Sequence, residues 1–225
     1  MRSLNIIIIS LLATISLGLI NLNDSSNVAK EIEKEIKEKV SKYGIEPEYI
    51  LFLGTLEPRK NIITLIKAYG ELSDEIRDRH PLVIGGKKGW LYEDIFQEVR
   101  KCSLEKKVIF LDYIQQLDLP ALYNGASIFV FPSLYEGFGL PPLEAMACGK
   151  PVITSNVSSL PEVIGDAGIL IEPKSIQSLA LNIERILTNN KFRQELQKKS
   201  IRQARKFNWR FTARSTYKTI SEIDL

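Results

Sequence analysis

The chain has 225 residues, enough for one sizeable α/β domain or a domain with an anchor, and few for two domains of typical size. Hydrophobic residues make up 44% of the chain and charged residues 25%, which excludes wholesale disorder. The net charge of +3 arises from 30 Lys and Arg interspersed with 27 Asp and Glu, a distribution that argues against a nucleic-acid-binding protein.

Residues 1–24 are predicted to be a hydrophobic segment outside the main domain. Residues 4–20 carry no charge and are at the lower length limit for a membrane-spanning helix, and no convincing cleavage site follows them. More lysines follow residues 4–20 than the single Arg2 that precedes them. If the segment spans a membrane, the positive-inside bias therefore predicts an anchored protein with its main domain in the cytoplasm. The alternative is a remnant of an upstream domain, buried in protein, and the sequence leaves both open.

Residues 25–48 are predicted to form a helical linker before a domain at 49–225. Apolar residues recur there at every fourth position among Lys and Glu, which predicts a helix with one narrow apolar stripe and a solvated charged face. These apolar residues are Val28, Ile32, Ile36 and Val40. Gly44 is expected to end the helix.

The remainder alternates buried strands with helices. Strands are predicted at 49–54, 81–86, 107–112, 127–132, 151–154 and 168–172, and helices near 61–72, 91–103, 116–124, 175–189, 191–206 and 209–221. This alternation predicts the α/β class, with a doubly wound, Rossmann-like parallel sheet. Ligands of such sheets bind beyond the carboxyl ends of the strands, so the loops after residues 54, 86, 112 and 132 are the expected location of a site.

His80 is the only histidine, and it directly precedes Pro81 at the start of an apolar run. Such a position is typical of a surface turn. We therefore predict an exposed residue without a functional role, although histidine is otherwise a common catalytic base.

The loop after the first strand reads GTLEPRKN from Gly54 to Asn61 and leads into a helix. Arg59 and Lys60 are adjacent cations beside a helix start, where phosphate oxygens bind well. Taken alone, this pattern is weak, because a Pro-Arg-Lys turn is usually just a polar loop.

The loop after the fourth strand is the most specific stretch of the chain. Glycines at 137 and 139 allow close approach of a ligand, and a proline at 141 or 142 suits the first turn of a helix that Gly149 would end. Glu136 then lies before this helix and Glu144 about one turn inside it. Backbone amides and the helix dipole are then available for an anion between the two carboxylates, so a phosphate site fits beside them.

EGFGLPPLE together with GTLEPRKN resembles the C-terminal, donor-binding domain of retaining family-four (group 1) glycosyltransferases, over residues 45–220. The resemblance implies one half of a GT-B fold, in which a nucleotide-diphosphate sugar is the donor substrate and neither a cofactor nor a metal is needed. It implies that Glu144 contacts the ribose and Glu136 the donor sugar. Arg59 and Lys60 would neutralise the diphosphate, more so because Thr55 stands where some relatives have arginine.

The resemblance also implies a wider donor-binding set. Its members are Gly54, Thr55, Tyr113, Ile114, Gly137, Phe138, Gly139 and Leu140. Among them, Tyr113 and Ile114 would contact the base, and the amides around Phe138 would bind the sugar or phosphates. Glu136, Lys60 and Arg59 would be the catalytic residues, with Glu136 not a nucleophile, since the implied transfer retains configuration by attack on the face that the diphosphate leaves.

The implied activity is hexosyl transfer, with mannosyl suggested by analogy, to a glycan, lipid or small-molecule acceptor. The family carries an acceptor-binding domain of similar size, which we expect this chain to lack, so that a partner chain would supply it. The alternative is a non-catalytic nucleotide-sugar-binding module or a decayed fragment. A nicotinamide-binding domain is disfavoured because no G-x-G-x-x-G follows a predicted strand.

Overall fold

The computed structural model describes residues 25–222. Its helices are α1 (Ser25–Ser41), α2 (Ile62–Gly70), α3 (Asp74–Arg79), α4 (Glu93–Lys101), α5 (Leu119–Gly125), α6 (Leu140–Ala147), α7 (Leu160–Ile164), α8 (Ile176–Thr188), α9 (Asn190–Ala204) and α10 (Trp209–Ser221). Its strands are β1 (Tyr49–Leu53), β2 (Leu82–Gly85), β3 (Val108–Leu111), β4 (Ala126–Phe131), β5 (Val152–Ser155) and β6 (Ile169–Ile171). A single 3₁₀ turn, Pro58–Lys60, follows β1.

The six strands form one parallel sheet in the order β3-β2-β1-β4-β5-β6. The predicted doubly wound, Rossmann-like sheet is confirmed. In this order the direction of winding reverses between β1 and β4, and a crevice opens beyond the carboxyl ends of two strands at such a switch point. The loops that follow β1 and β4 therefore flank the crevice.

The core consists of the strands and of the helix faces that cover them. β1, β2 and β5 are buried along their whole length because both faces of the sheet are covered, which explains their continuous apolar sequences. Phe129 and Phe131 project from the same face of β4, since side chains alternate along a strand. Their rings stack at 5.9 Å between centroids, and Phe52 of β1 stacks on Phe131 at 5.7 Å.

The N-terminal helix packs on this domain through its predicted apolar stripe. Val40 is fully buried, Ile36 is partly buried against the core, and α1 contacts α5. Ile45, in the same 25–48 segment, is also buried. The hydrophobic segment at 1–24, with the proposed anchor at 4–20, lies outside the described residues.

Across residues 25–222, none of the helices has the length and apolar character needed to cross a bilayer.

His80 is not the surface residue that the sequence predicts. It is only 4% exposed, and its Nδ1 lies 2.6 Å from the Glu48 carbonyl oxygen. In the tautomer that carries its proton on Nδ1, His80 donates a hydrogen bond to this carbonyl. The sequence shows Pro81 ending a turn but does not show that the segments before β1 and β2 pack together. Helices α3 and α7 are also absent from the prediction, because six and five residues are too few to show a helical period.

Candidate functional site

The turn after β1 is fixed to the loop after β4 by hydrogen bonds. The Arg59 carbonyl accepts a hydrogen bond from the Leu134 amide at 2.8 Å. The Asn61 side-chain amide donates to the carbonyl of Pro132 at 2.9 Å and to that of Pro173 at 2.6 Å. Asn61 itself is left-handed, with φ of 56°, a conformation that asparagine tolerates. The two loops that flank the switch point therefore form one connected unit.

Arg59 and Lys60 converge on a single carboxylate oxygen across this junction. Glu136 Oε1 lies 2.6 Å from Lys60 Nζ and 3.1 Å from an Arg59 terminal nitrogen. Glu136 is only 9% exposed, and Lys60 is buried with its Nζ 4.8 Å from the centroid of the Phe131 ring. The structure thus brings together the three residues that the sequence predicts to be catalytic.

Arg59 is anchored at both ends of its guanidinium. It donates to the Tyr135 carbonyl at 2.8 Å and to Glu57 at 2.6 Å. Partial burial lowers the pKa of Arg59, but the Glu136 and Glu57 carboxylates outweigh it and leave the pKa above its usual value. Arg59 therefore stays charged, in a fixed orientation suited to anionic oxygens.

The loop from Ser133 to Gly139 turns directly into α6. Gly139 has φ of 105° and α6 begins at Leu140, so the residue before the helix must be one that tolerates a left-handed backbone. Ser159 donates to the carbonyls of Glu136 at 3.0 Å and Phe138 at 2.9 Å, and Ser158 accepts from the Glu136 amide at 3.0 Å. The loop is therefore held from the β5 side as well.

Glu144 lies in the second turn of α6 and is half-buried. Its Oε2 accepts a hydrogen bond from the Tyr123 hydroxyl of α5 at 2.9 Å. Burial and the Glu144 charge raise the pKa of Tyr123 well above its usual value, so the phenol remains a donor. The second predicted glutamate thus has a buried partner on a neighbouring helix.

The remaining predicted residues lie at the same edge of the sheet, some farther from the cation cluster. Gly54 and Thr55 directly follow β1. Tyr113 and Ile114 follow β3, the outermost strand, which is separated from β1 by β2. Gly137, Phe138 and Leu140 are exposed, with Phe138 edge-on to Phe207 at 6.0 Å. The ligand roles predicted for these residues stay predictions.

Tyr123, Ser158 and Ser159 are site residues that were not predicted from the sequence. The two serines follow β5 at the carboxyl edge, and the rule that selected the other loops would have found them. Tyr123 had no comparable signal, because an apolar helix residue gives no sign of which carboxylate its hydroxyl reaches. Across the part of the chain that is described, no group of three His, Cys, Asp or Glu is placed to hold a metal ion. The metal-independent reaction stays a prediction.

A family model described as "Glycosyl transferases group 1" matches residues 33–207. The chain belongs to the group 1 glycosyltransferases. This match covers most of the described fold, including both loops at the switch point and the whole of α6. The family predicted from the two motifs is therefore confirmed.

Some curated relatives carry mannosyltransferase names. The chain is 45% identical over 161 residues to the O-antigen chain mannosyltransferase B of Escherichia coli, a match that covers 72% of this chain and 42% of that protein. It is 41% identical over 200 residues to the serotype-specific mannosyltransferase WbdA of Escherichia coli, with 85% of this chain and 24% of that protein covered. The chain therefore spans less than half of the length of these relatives.

Solved glycosyltransferase-like structures share the fold of this chain. Sucrose-phosphate synthase of Thermosynechococcus elongatus superposes with a TM-score of 0.71 at 28% identity, over 82% of this chain and 48% of that one. The C-terminal domain of the group 1 protein LpcC of Francisella tularensis superposes with a TM-score of 0.66 at 26% identity, over 76% of this chain and 91% of that one. The match to an isolated C-terminal domain agrees with the predicted half of a GT-B fold.

Proposed function

We propose that this chain is the donor-binding half of a retaining hexosyltransferase that takes a nucleotide-diphosphate sugar. The observation that carries the proposal is the meeting of Arg59 and Lys60 at Glu136, at the switch point of the sheet and beside the N-terminus of α6. Ligands of doubly wound sheets bind at this point, and cations with a helix N-terminus bind phosphate oxygens. The mannosyltransferase names of the relatives favour a mannosyl donor.

The chemistry requires the bond between the sugar and the diphosphate to break. Negative charge then accumulates on the departing phosphate, while the sugar ring becomes positive. Arg59 and Lys60 would stabilise the phosphate charge from fixed positions, so little reorganisation is needed during the reaction. Glu136, which already holds both cations, would lie on the sugar side, where a carboxylate stabilises the positive ring.

Retention and the acceptor belong to the same proposal. Attack from the face that the diphosphate leaves would retain configuration, and it requires an acceptor bound across the cleft from α6. A glycan, lipid or small-molecule acceptor would be presented by a second domain, in this polypeptide or in a partner chain, that closes over the donor.

The test is calorimetric binding of GDP, UDP and ADP, and of their hexose conjugates, to the full chain with a chelator present. We expect one nucleotide to be selected, and Glu144→Ala to weaken its binding by about tenfold or more, since a hydrogen bond to a charged group is lost. Glu98→Ala is the matched control. Glu98 is a buried helical glutamate on α4 that, like Glu144, is followed four residues later by a cysteine.

Unchanged binding in Glu98→Ala and loss in Glu144→Ala would support the donor site. A folded chain that binds none of the nucleotides would overturn the proposal and favour a decayed module. Binding without transfer, when an acceptor domain and acceptors are supplied, would favour a non-catalytic nucleotide-sugar-binding module.

A further inference from the structure

Tyr123, a buried tyrosine on α5, is hydrogen-bonded to Glu144. Tyr123 is only 2% exposed, and its hydroxyl donates to Glu144 Oε2 at 2.9 Å. A buried hydroxyl normally needs a partner, and a hydrogen bond to a carboxylate is about twice as strong as one between neutral groups. This contact is therefore an anchor for the Glu144 side chain and not an incidental surface contact.

The anchor is itself fixed in place. The Tyr123 ring packs edge-on against Phe129 of β4 at 5.5 Å, and Phe129 stacks on Phe131. Three rings packed in a close-packed interior cannot rotate independently, so the phenol oxygen has a defined position. Glutamate has several side-chain rotamers, and a hydrogen bond to a fixed phenol oxygen favours the one that reaches it.

We propose that Tyr123 is a positioning residue for nucleotide recognition, which holds the Glu144 carboxylate in the orientation that accepts hydrogen bonds from the ribose hydroxyls. This inference rests on the proposed function. Two vicinal hydroxyls need two acceptor directions at fixed angles, so a carboxylate whose plane is set in advance binds them with less loss of conformational entropy. Tyr123 itself touches no ligand.

The test compares ribose and dideoxyribose nucleotides on the full chain. Binding of GDP, UDP and ADP is measured beside their 2′,3′-dideoxy counterparts, for the wild type and for Tyr123→Phe, which keeps the ring and removes the hydroxyl. We expect the wild type to prefer its ribose nucleotide by about tenfold or more. Tyr123→Phe should weaken ribose binding by about three- to tenfold and leave dideoxy binding unchanged.

Tyr49→Phe is the matched control. Tyr49 is fully buried, and its hydroxyl donates to the Leu122 carbonyl at 2.7 Å, one residue from Tyr123 in sequence. The control removes a buried tyrosine hydrogen bond that does not reach Glu144. It should lower thermal stability, while the preference for ribose stays at the wild-type value.

A double-mutant cycle with Glu144→Gln gives a second readout that does not depend on stability. If Tyr123 acts through Glu144, its removal should have no further effect on the ribose preference once Glu144 is replaced. Additive effects would overturn the inference. So would a wild-type ribose preference in Tyr123→Phe, or equal weakening of both nucleotide types.

The proposed function and the positioning role of Tyr123 are overturned by different results. A wild-type chain that binds none of the nucleotides overturns the proposed function and this inference with it. A wild-type chain that binds and prefers ribose, beside a Tyr123→Phe variant that behaves identically, overturns only the role of Tyr123.

Discussion

Glu136 and Glu98 are buried glutamates that each have two cations nearby, and the geometry of the two clusters differs. Glu136 and Glu98 are both 9% exposed. At Glu136, the cations Lys60 and Arg59 lie 2.6 and 3.1 Å away, and the Lys60 side chain is 9% exposed. At Glu98, on α4, Lys67 and Lys101 lie 3.7 Å away, with side chains 42% and 69% exposed.

The difference distinguishes a closely paired, buried charge cluster at Glu136 from a solvent-exposed ion pair at Glu98. The Glu98 cations are near the distance limit of an ion pair and lie on solvent-exposed side chains, and such pairs contribute about 0–1 kcal/mol. At Glu136, a lysine has been taken out of water and placed beside a second cation, which is costly unless the carboxylate stays in place. Sites that concentrate like charges in this way are candidates for binding opposite charge, which is the role that the proposed function gives to this cluster.

The largest expected effect is on stability. Glu136→Ala leaves Lys60 buried without its carboxylate, and we expect a loss of about 3 kcal/mol in the free energy of unfolding. Glu98→Ala should cost under about 1 kcal/mol, because its lysines can turn to solvent. Urea denaturation of both variants measures the contrast. Equal losses would show that the two glutamates do not differ as their geometry indicates.

The next effect is on ligand binding. Lys60→Met should reduce the affinity for the selected nucleoside diphosphate by about tenfold or more, since one charge-assisted contact to phosphate is lost. Lys67→Met, the counterpart at Glu98, should bind as the wild type does. Calorimetry measures the affinity of both variants. Equal affinities would contradict a ligand-binding role for the Lys60 charge.

The smallest effect concerns His80, a buried histidine. Burial lowers the pKa of His80, as do the Arg79 and Arg193 charges, while the Glu48 carbonyl and carboxylate oppose this. Because the unfolded chain takes up the proton first, stability is full above the unfolded pKa of about 6.5 and falls as pH drops through it. We expect the melting temperature to fall from pH 7.5 to pH 5.5.

His80→Asn should reduce this pH dependence, since an asparagine amide can still donate to the Glu48 carbonyl without titrating. Melting curves at the two pH values, for the wild type and the variant, measure the difference. An unchanged pH dependence in His80→Asn would assign it to other groups.

The sequence predicts the sheet well because buried parallel strands are continuous apolar runs and do not depend on distant residues for their pattern. The rule that ligands bind beyond the carboxyl ends of parallel strands points to both loops, and the family resemblance adds Arg59, Lys60 and Glu136 as a set. The sequence misplaces His80 and misses Tyr123 for the same reason. Their surroundings are made by segments far apart in the chain, Glu48 in one case and Glu144 in the other, and such packing leaves no local period.

The packed rings of Tyr123, Phe129 and Phe131 have a consequence for where substitutions can change the site. Tyr123 supports Glu144 at one end, and Phe131 lies under Lys60 at the other, with Phe129 between them. A substitution at Phe129 is expected to displace both neighbouring rings, and with them the positions of Glu144 and Lys60. Substitutions that alter the contacts of the charged groups without disturbing these rings must therefore fall on the loops after β1 and β4.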